Sequence, residues 1–252
     1  MVVDSYKADL EVKARTKQPA QKLVLIGEAH RDISDFDPRW FTSKESFYRL
    51  PPRSLPQIDR VQLLAVKVTE DAFEKAGISP ARLNSEKVCV VSASTIGLDI
   101  LEHMSMRISL DSLSESALAD RSKGKFKPED LESLAKTFLK MKEAYDPVTE
   151  DSGPGILNNV IAGRVCNAFN FKGKNLNIDC DTASIAAAVD VIETDLQFDP
   201  HDIFVLIGVH EDVSKADRRI LRKQVSCYIL TAASNAKAEM LPVEKVISLS
   251  RG

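Results

Sequence analysis

The sequence has few of the residues that build metal or redox sites. Its 252 residues include four cysteines and four histidines. The cysteines, Cys89, Cys166, Cys180 and Cys227, stand far apart along the chain. No two of them have the CxxC spacing of a zinc site or a redox pair. Scattered cysteines in apolar surroundings are most often buried thiols of a reducing compartment, so no metal and no other cofactor is expected.

Long apolar runs and a strong charge of one sign are also missing. No run of apolar residues is long enough to span a bilayer, and residues 1–17 are charged and lack the apolar core of a signal peptide. Thirty-four Lys and Arg residues against 37 Asp and Glu residues give a formal net charge of −3. That balance gives no electrostatic reason to expect nucleic acid or a membrane surface as partner. We therefore expect a cytoplasmic protein.

The pattern of apolar residues predicts one domain at residues 21–252, preceded by a polar lead-in at residues 1–20. Short apolar and β-branched runs predict strands at 22–27, 87–93, 175–179, 203–209, 225–232 and 243–249. Helical periodicity predicts helices at 58–76, 156–169 and 182–197, and Pro128 begins another within an insertion at 98–155. Alternating strands and helices are typical of an α/β fold with a largely parallel sheet.

Two of the predicted helices carry features that bear on packing. Gly163, in the middle of the helix at 156–169, costs about 1 kcal/mol relative to alanine, which suggests close packing against another backbone. Residues 183–189 are apolar on nearly every side, and such a helix is expected to be buried on most of its surface.

Four segments, taken in order, resemble the N-terminal half of the β-ketoacyl synthases, a family of thiolase-like fold. They are LVLIGEAHR (23–31) with FDPRWF (36–41), VQLLAVKVTEDAFEKAGISPARL (61–83), KVCVVSAST (87–95), and GPGILNNVIAGRVCNAFNFKGKNLNIDCDTASIAAAVD (153–190). The last is the most specific and looks closest to ketosynthases of polyunsaturated fatty acid and iterative polyketide synthases. The resemblance implies a thiolase-like half: an α/β domain with a mixed, mostly parallel five-stranded sheet and helices on both faces.

The resemblance fails at the catalytic position, because the family's nucleophilic cysteine falls on Thr182. A helix N-terminus favours a thiolate there, whereas a threonine hydroxyl is a far weaker acid and needs an adjacent base. The family's two catalytic histidines lie in HGTGT and NxGH strings, and neither string occurs here. The histidines of this chain, His30, His103, His201 and His210, lack that context. No catalytic residue is therefore assigned.

Simpler interpretations exist for the residues around Thr182. Threonine is a preferred helix N-cap, and that is the favoured role of Thr182. Cys180, the alternative nucleophile, is better explained as a buried structural thiol, because Asp179 and Asp181 disfavour a thiolate between them. His210 follows a strand, where α/β sheets place ligands, but a lone histidine there is more often a surface residue.

Three functional hypotheses remain open. The first is a non-condensing pseudo-ketosynthase of fatty acid or polyketide synthesis, acting in dimerisation, docking or as a chain-length-factor-like partner. The second is an acyl-transferring enzyme that uses Cys180. The third is one half of a split ketosynthase, whose other chain supplies the histidines.

The resemblance also implies partners. Thiolase-like proteins pair across the strand before the nucleophile, which implies a dimer interface, in a homodimer or with a ketosynthase, at Asn175, Leu176, Asn177, Ile178 and Asp179. The basic run Arg218, Arg219, Arg222 and Lys223, interpreted as a helix face, could dock an acyl carrier protein, since such proteins are acidic.

Overall fold

The computed structural model describes residues 22–42, 48–94, 99–122, 124, 127–145, 147–213 and 220–247. The strands in this part are β1 (Leu23–Asp32), β2 (Val88–Ala93), β3 (Asn175–Ile178), β4 (Ile203–Val213), β5 (Ile220–Ala232) and β6 (Lys245–Ile247). The helices are α1 (Arg39–Thr42), α2 (Arg60–Lys75), α3 (Asp99–Ser122), α4 (Pro128–Lys142), α5 (Ser152–Ile156), α6 (Val160–Phe169), α7 (Ser184–Leu196) and α8 (Ala233–Ala238). The predicted lead-in at 1–20 lies outside the described residues.

The strands form one mixed sheet in the order β3-β2-β4-β5-β1-β6. β2 pairs in parallel with β3 and with β4, whereas β5 pairs antiparallel with β4 and β1, and β1 antiparallel with β6. The α/β class is confirmed, but among the described residues the sheet has six strands rather than five and is not mostly parallel. The reason is a short connection: β5 begins at residue 220, soon after β4 ends at residue 213, and a parallel pair needs a crossover of a dozen residues or more.

Helices cover both faces of the sheet, as predicted. On one face α2 and α6 pack over alternate residues of the central strands, among them Val90, Val205 and Ile229. On the other face α7 packs through Ala188, Ile192 and Leu196 onto the intervening residues of the same strands. The sheet core is thus buried on both sides, which explains the nearly continuous apolar runs of β2 and β4.

One expectation for the helices is wrong, and one helix was not predicted. α7 is not buried on most sides, since Ala183 and Ala186 are exposed beside the buried Ala188. The small side chains there leave its outer face open. The insertion holds a second, longer helix besides the predicted one: α3 spans 24 residues and lies against α4. Arg107 of α3 donates to the carbonyl oxygen of Lys142 at the end of α4, and the Lys142 ammonium pairs with Asp111. Leu110 of α3 is buried, at 3% exposure.

The basic run does not form a helix where it is described. Arg222 and Lys223 belong to strand β5, and Arg218 and Arg219 lie outside the described residues. Lys223 is only 4% exposed, and its Nζ lies 2.9 Å from Oε1 of Glu211 on β4. It therefore stabilises the β4–β5 pair and is unavailable as a docking surface for a carrier protein.

A buried amide holds the glycine-rich segment before α6. Gln62, 1% exposed, donates from Nε2 to the carbonyl oxygens of Pro154 at 3.1 Å, Gly155 at 2.7 Å and Leu157 at 3.1 Å. Its Oε1 accepts from Nε of Arg164, and burial lowers the pKa of that guanidinium. The segment at 154–157 is thereby fixed against the first turn of α2.

Of the two glycines Gly155 and Gly163, only Gly155 lies where a close backbone contact requires glycine. A Cβ on Gly155 would lie 1.7 Å from the carbonyl oxygen of Gln57, whereas a Cβ on Gly163 would meet nothing within 4 Å. The expected backbone packing at Gly163 is therefore wrong, and the close contact is made by Gly155 instead.

The two glycines should respond to alanine in opposite ways. Gly155→Ala forces backbone apart and is expected to lower the free energy of unfolding by about 2 kcal/mol or more. Gly163→Ala, in the middle of α6, should raise it by about 0.5–1 kcal/mol because alanine restricts the unfolded chain. Urea unfolding of both variants beside the parent measures this. Equal effects would contradict the described packing.

Candidate functional site

Three parallel strands end at a common edge, where the first residues of α7 also lie. A cavity of about 190 Å³ opens there. Its lining comprises Ser94 after β2, Asp181, Thr182, Ser184 and Ile185 at the start of α7, and Val209, His210 and Glu211 on β4. The carboxyl ends of parallel strands are where α/β proteins bind ligands, so this cavity is the candidate site.

Side-chain hydrogen bonds tie the strand ends together beside the cavity. Asn177 Oδ1 on β3 accepts from Oγ of Ser92 at 2.7 Å and of Ser94 at 3.2 Å. Asn158, between α5 and α6, donates from Nδ2 to the carbonyl oxygen of Ser94 at 3.0 Å and to Oδ2 of Asp179 at 3.4 Å. The roles of Asn158 and Ser94 were missed from the sequence. Both lie within the segments that carry the family resemblance, but the segments alone did not bring them together.

Thr182 is not a helix N-cap. It is exposed and sits in a 3₁₀ turn at Asp181–Ala183, and Ala183 is the N-cap residue of α7. Asp181 takes a left-handed conformation with φ of 52°, which aspartate tolerates better than most residues. The resulting extra turn moves the helix start two residues beyond Thr182. The hydroxyl that holds the turn belongs to Ser184, which accepts from the Cys180 N–H at 2.8 Å and donates to the Asp181 carbonyl at 2.7 Å.

Cys180 is exposed, so the prediction of a buried thiol is wrong for it. The strand ends at Ile178, and the turn that follows directs residue 180 outward. The prediction is correct for the other three cysteines. Burial raises the pKa of Cys89 to about 12, of Cys166 to about 11 and of Cys227 to about 12. Cys180 lies next to the cavity without lining it.

Among the described residues, His210 is the histidine that lines the cavity together with Thr182. Its side chain is exposed, as expected of a surface residue, yet the convergence of β4 with α7 places it at the site. His103 instead packs edge-to-face on Tyr145, with ring centroids 5.5 Å apart. Within the described part of the chain no cluster of three His, Cys, Asp or Glu side chains could hold a metal ion.

Four of the five residues implied as a dimer interface form β3, an edge strand of the sheet, and Asp179 follows directly after it. Asn175 and Asp179 are exposed. Leu176 and Ile178 are half-buried and pack against the cluster under α7, while the amide of Asn177 is turned towards β2 as described above. No described strand pairs with the outer side of β3.

Among the described residues, no helix has both the length and the apolar character needed to cross a bilayer.

Solved structures with a similar fold are ketosynthases. A β-ketoacyl synthase from Burkholderia phymatum STM815 aligns with a TM-score of 0.53 at 14% identity over 88% of this chain and 62% of its own. The ketosynthase from module 6 of the bacillaene synthase of Bacillus subtilis 168 gives 0.53 at 14% identity, over 88% and 38%. A type II polyketide synthase acyl carrier protein in complex with its ketosynthase bound to the hexaketide gives 0.57 at 8%, over 89% and 67%. At these identities the likeness establishes the fold.

The chain spans between 38% and 67% of the length of these structures. No curated protein matches it in sequence. The family described as the β-ketoacyl synthase N-terminal domain matches residues 8–226, which is most of the chain and includes β1 to β4 with the cavity at their ends. The chain therefore belongs to the β-ketoacyl synthase N-terminal domain family.

Proposed function

We propose that this domain is a non-condensing, ketosynthase-like module of fatty acid or polyketide synthesis. The observation that carries the proposal is the hydroxyl of Thr182, which lines the cavity and which the family resemblance aligns with the nucleophilic cysteine. A hydroxyl there needs a base to become a nucleophile, and the neighbouring Asp181 adds negative charge that opposes its ionisation. The described part of the cavity offers one histidine, His210, where condensing relatives use two.

The exposed edge of β3 supports a role in assembly. Its pairing with β2 uses the backbone of Lys174 and Ile178, because Val90 donates to the Lys174 carbonyl and Ser94 to that of Ile178. Alternate residues of a strand direct their backbone groups to opposite sides, so Asn175 and Asn177 direct theirs away from the sheet. An unpaired edge of this kind is a template for a second strand. We infer a dimer through β3, formed by two copies or with a ketosynthase.

Carrier proteins or neighbouring synthase domains are the proposed further partners. One similar structure is a ketosynthase in complex with its acyl carrier protein, which supports this class of partner. Within the basic run, Lys223 is not part of the surface for such a partner, because it is buried in its ion pair with Glu211.

The second candidate function is acyl transfer by Cys180, and the exposure of its thiol is the observation in favour. Against it, the thiol lies outside the lining of the cavity, and the backbone N–H of Cys180 is already bonded to Ser184. A split ketosynthase, completed by a second chain, is compatible with the partial length but leaves Thr182 at the nucleophile position.

Cysteine accessibility gives the first prediction for this site. In the native protein one thiol, that of Cys180, should react rapidly with an aromatic disulfide reagent, because burial raises the pKa of the other three. All four cysteines of the sequence should react in denaturant. Cys180→Ser should abolish the fast native reaction, and its persistence in that variant would contradict the assigned burial.

Acyl-enzyme formation tests the chemistry directly. Intact-protein mass is measured for the parent, Cys180→Ser and the double variant Cys180→Ser with Thr182→Cys, after incubation with acetyl-, butanoyl- and decanoyl-pantetheine. Thr182 should carry no acyl group, and any adduct of the parent should disappear in Cys180→Ser. An adduct on the double variant alone would show that a thiol is what the site lacks. A stoichiometric adduct on Thr182 in Cys180→Ser would refute the proposal.

Edge-strand pairing predicts how the dimer can be broken. Asn175→Pro removes an outward N–H without affecting the bonds to β2, and should raise the dimer dissociation constant at least about tenfold. Asn175→Ala keeps the N–H and is the matched control, expected to remain dimeric. Light scattering coupled to size exclusion, from micromolar concentration upward, provides the measurement. A monomeric parent, or a dimer indifferent to proline, would rule out pairing through β3.

A further inference from the structure

A second and larger cavity lies between the segment after β1 and the first turns of α2. Its volume is about 410 Å³, within the range of about 300–1,000 Å³ that small-molecule sites occupy. It shares no lining residue with the Thr182 cavity. Nothing in the family resemblance or in the proposed function assigns it a role.

The walls of this cavity are apolar. Phe41, Ile58 and Leu63 are almost fully buried, at 4%, 3% and 2% exposure, and face the cavity together with the half-buried Phe36 and Leu55. Phe36 and Phe41 stack with ring centroids 6.2 Å apart, which fixes this wall. A ligand seated there would bury an apolar body against aromatic and aliphatic carbon.

The rim of the cavity is cationic. Arg60, exposed at the start of α2, holds its guanidinium carbon 6.0 Å from the centre of the Phe36 ring. No carboxylate within the described ranges lies at ion-pair distance from it. The imidazole of His103 on α3 also lines the cavity. A guanidinium presents paired N–H donors that match a carboxylate, so the expected polar group of a ligand is an anion.

We propose that this cavity binds an unbranched aliphatic carboxylate. The aliphatic chain of the ligand lies among Phe41, Ile58 and Leu63, and Arg60 at the rim holds its carboxylate. Charge complementarity selects the anion over a neutral or cationic amphiphile of the same length. The proposal is independent of Thr182 and of whether the domain condenses, so either can fail without the other.

The chain carries its own reporter beside the cavity. Trp40 is the one tryptophan in the sequence, and its ring packs edge-to-face on Phe36 with centroids 6.3 Å apart. Titration of the full protein with octanoate and decanoate should give a saturable change in its fluorescence. Each buried methylene contributes about 0.8 kcal/mol, so decanoate, which has two more, should bind about fifteenfold tighter than octanoate.

Variants test separately how the cavity binds the carboxylate and the aliphatic chain of the ligand. Arg60→Gln should weaken decanoate binding about tenfold and leave decanol binding unchanged. Leu55→Gln, at the half-buried wall, should weaken both. Arg82→Gln removes an exposed arginine elsewhere and is the matched control for charge. Thermal unfolding of each variant confirms that it is folded.

Three outcomes would overturn the proposal. The first is equal affinity of the parent for decanoate and for decanol or decyltrimethylammonium, which would show that the cavity does not select an anion. The second is binding that does not saturate or does not depend on chain length, which would indicate non-specific association rather than a site. The third is an undiminished decanoate affinity in Arg60→Gln.

Discussion

The hydrogen bonds of the buried Gln62 amide are the constraint on which the arrangement of the site depends. They join the first turn of α2 to the carbonyl groups of the segment at 154–157 and to Arg164 on α6. A buried amide without partners would be strongly unfavourable, so these segments have one stable relative position. Asn158 follows directly, and its amide reaches the ends of β2 and β3. The hydrogen bonds of Gln62 thus help to position the ends of β2 and β3. They need the backbone at residue 155 to lie close to Gln57, and glycine at that position allows it.

Much of the fold follows from local sequence patterns. β2 and β4 are apolar runs because both sheet faces are covered, and α2 has a clear apolar stripe, so each was predicted within a few residues. α3 was not, because few of its side chains are buried while Ile108 and Leu113 are half exposed, at 50% and 51%. The extension of β4 and β5 into charged residues also escaped prediction. Lys223 and Glu211 form an ion pair there, and strand pairing rather than side-chain pattern determines the structure.

The site was predictable in position but not in geometry. The family resemblance placed Thr182 after β3 and before a helix, and this is where it lies. The extra 3₁₀ turn depends on the left-handed backbone of Asp181, a conformation that the sequence permits but does not require. In that turn Thr182 is not the cap of α7, and Cys180, which precedes the turn, is exposed. The position of His210 after a predicted strand indicated a possible ligand contact, but its approach to Thr182 depends on the meeting of β4 with α7, which is a tertiary relation.

Within the described part of the chain, the turn before α7 keeps its form without any hydrogen bond from the side chain of Thr182. Ser184 holds the turn through its bonds to Cys180 and Asp181, and neither bond involves Thr182. Leu176 and Ile178 keep β3 on the sheet by packing under α7, again without the side chain at 182. The fold of this region therefore rests on residues other than Thr182. A change of the side chain at position 182 is therefore expected to leave both the cavity and the β3 edge in place.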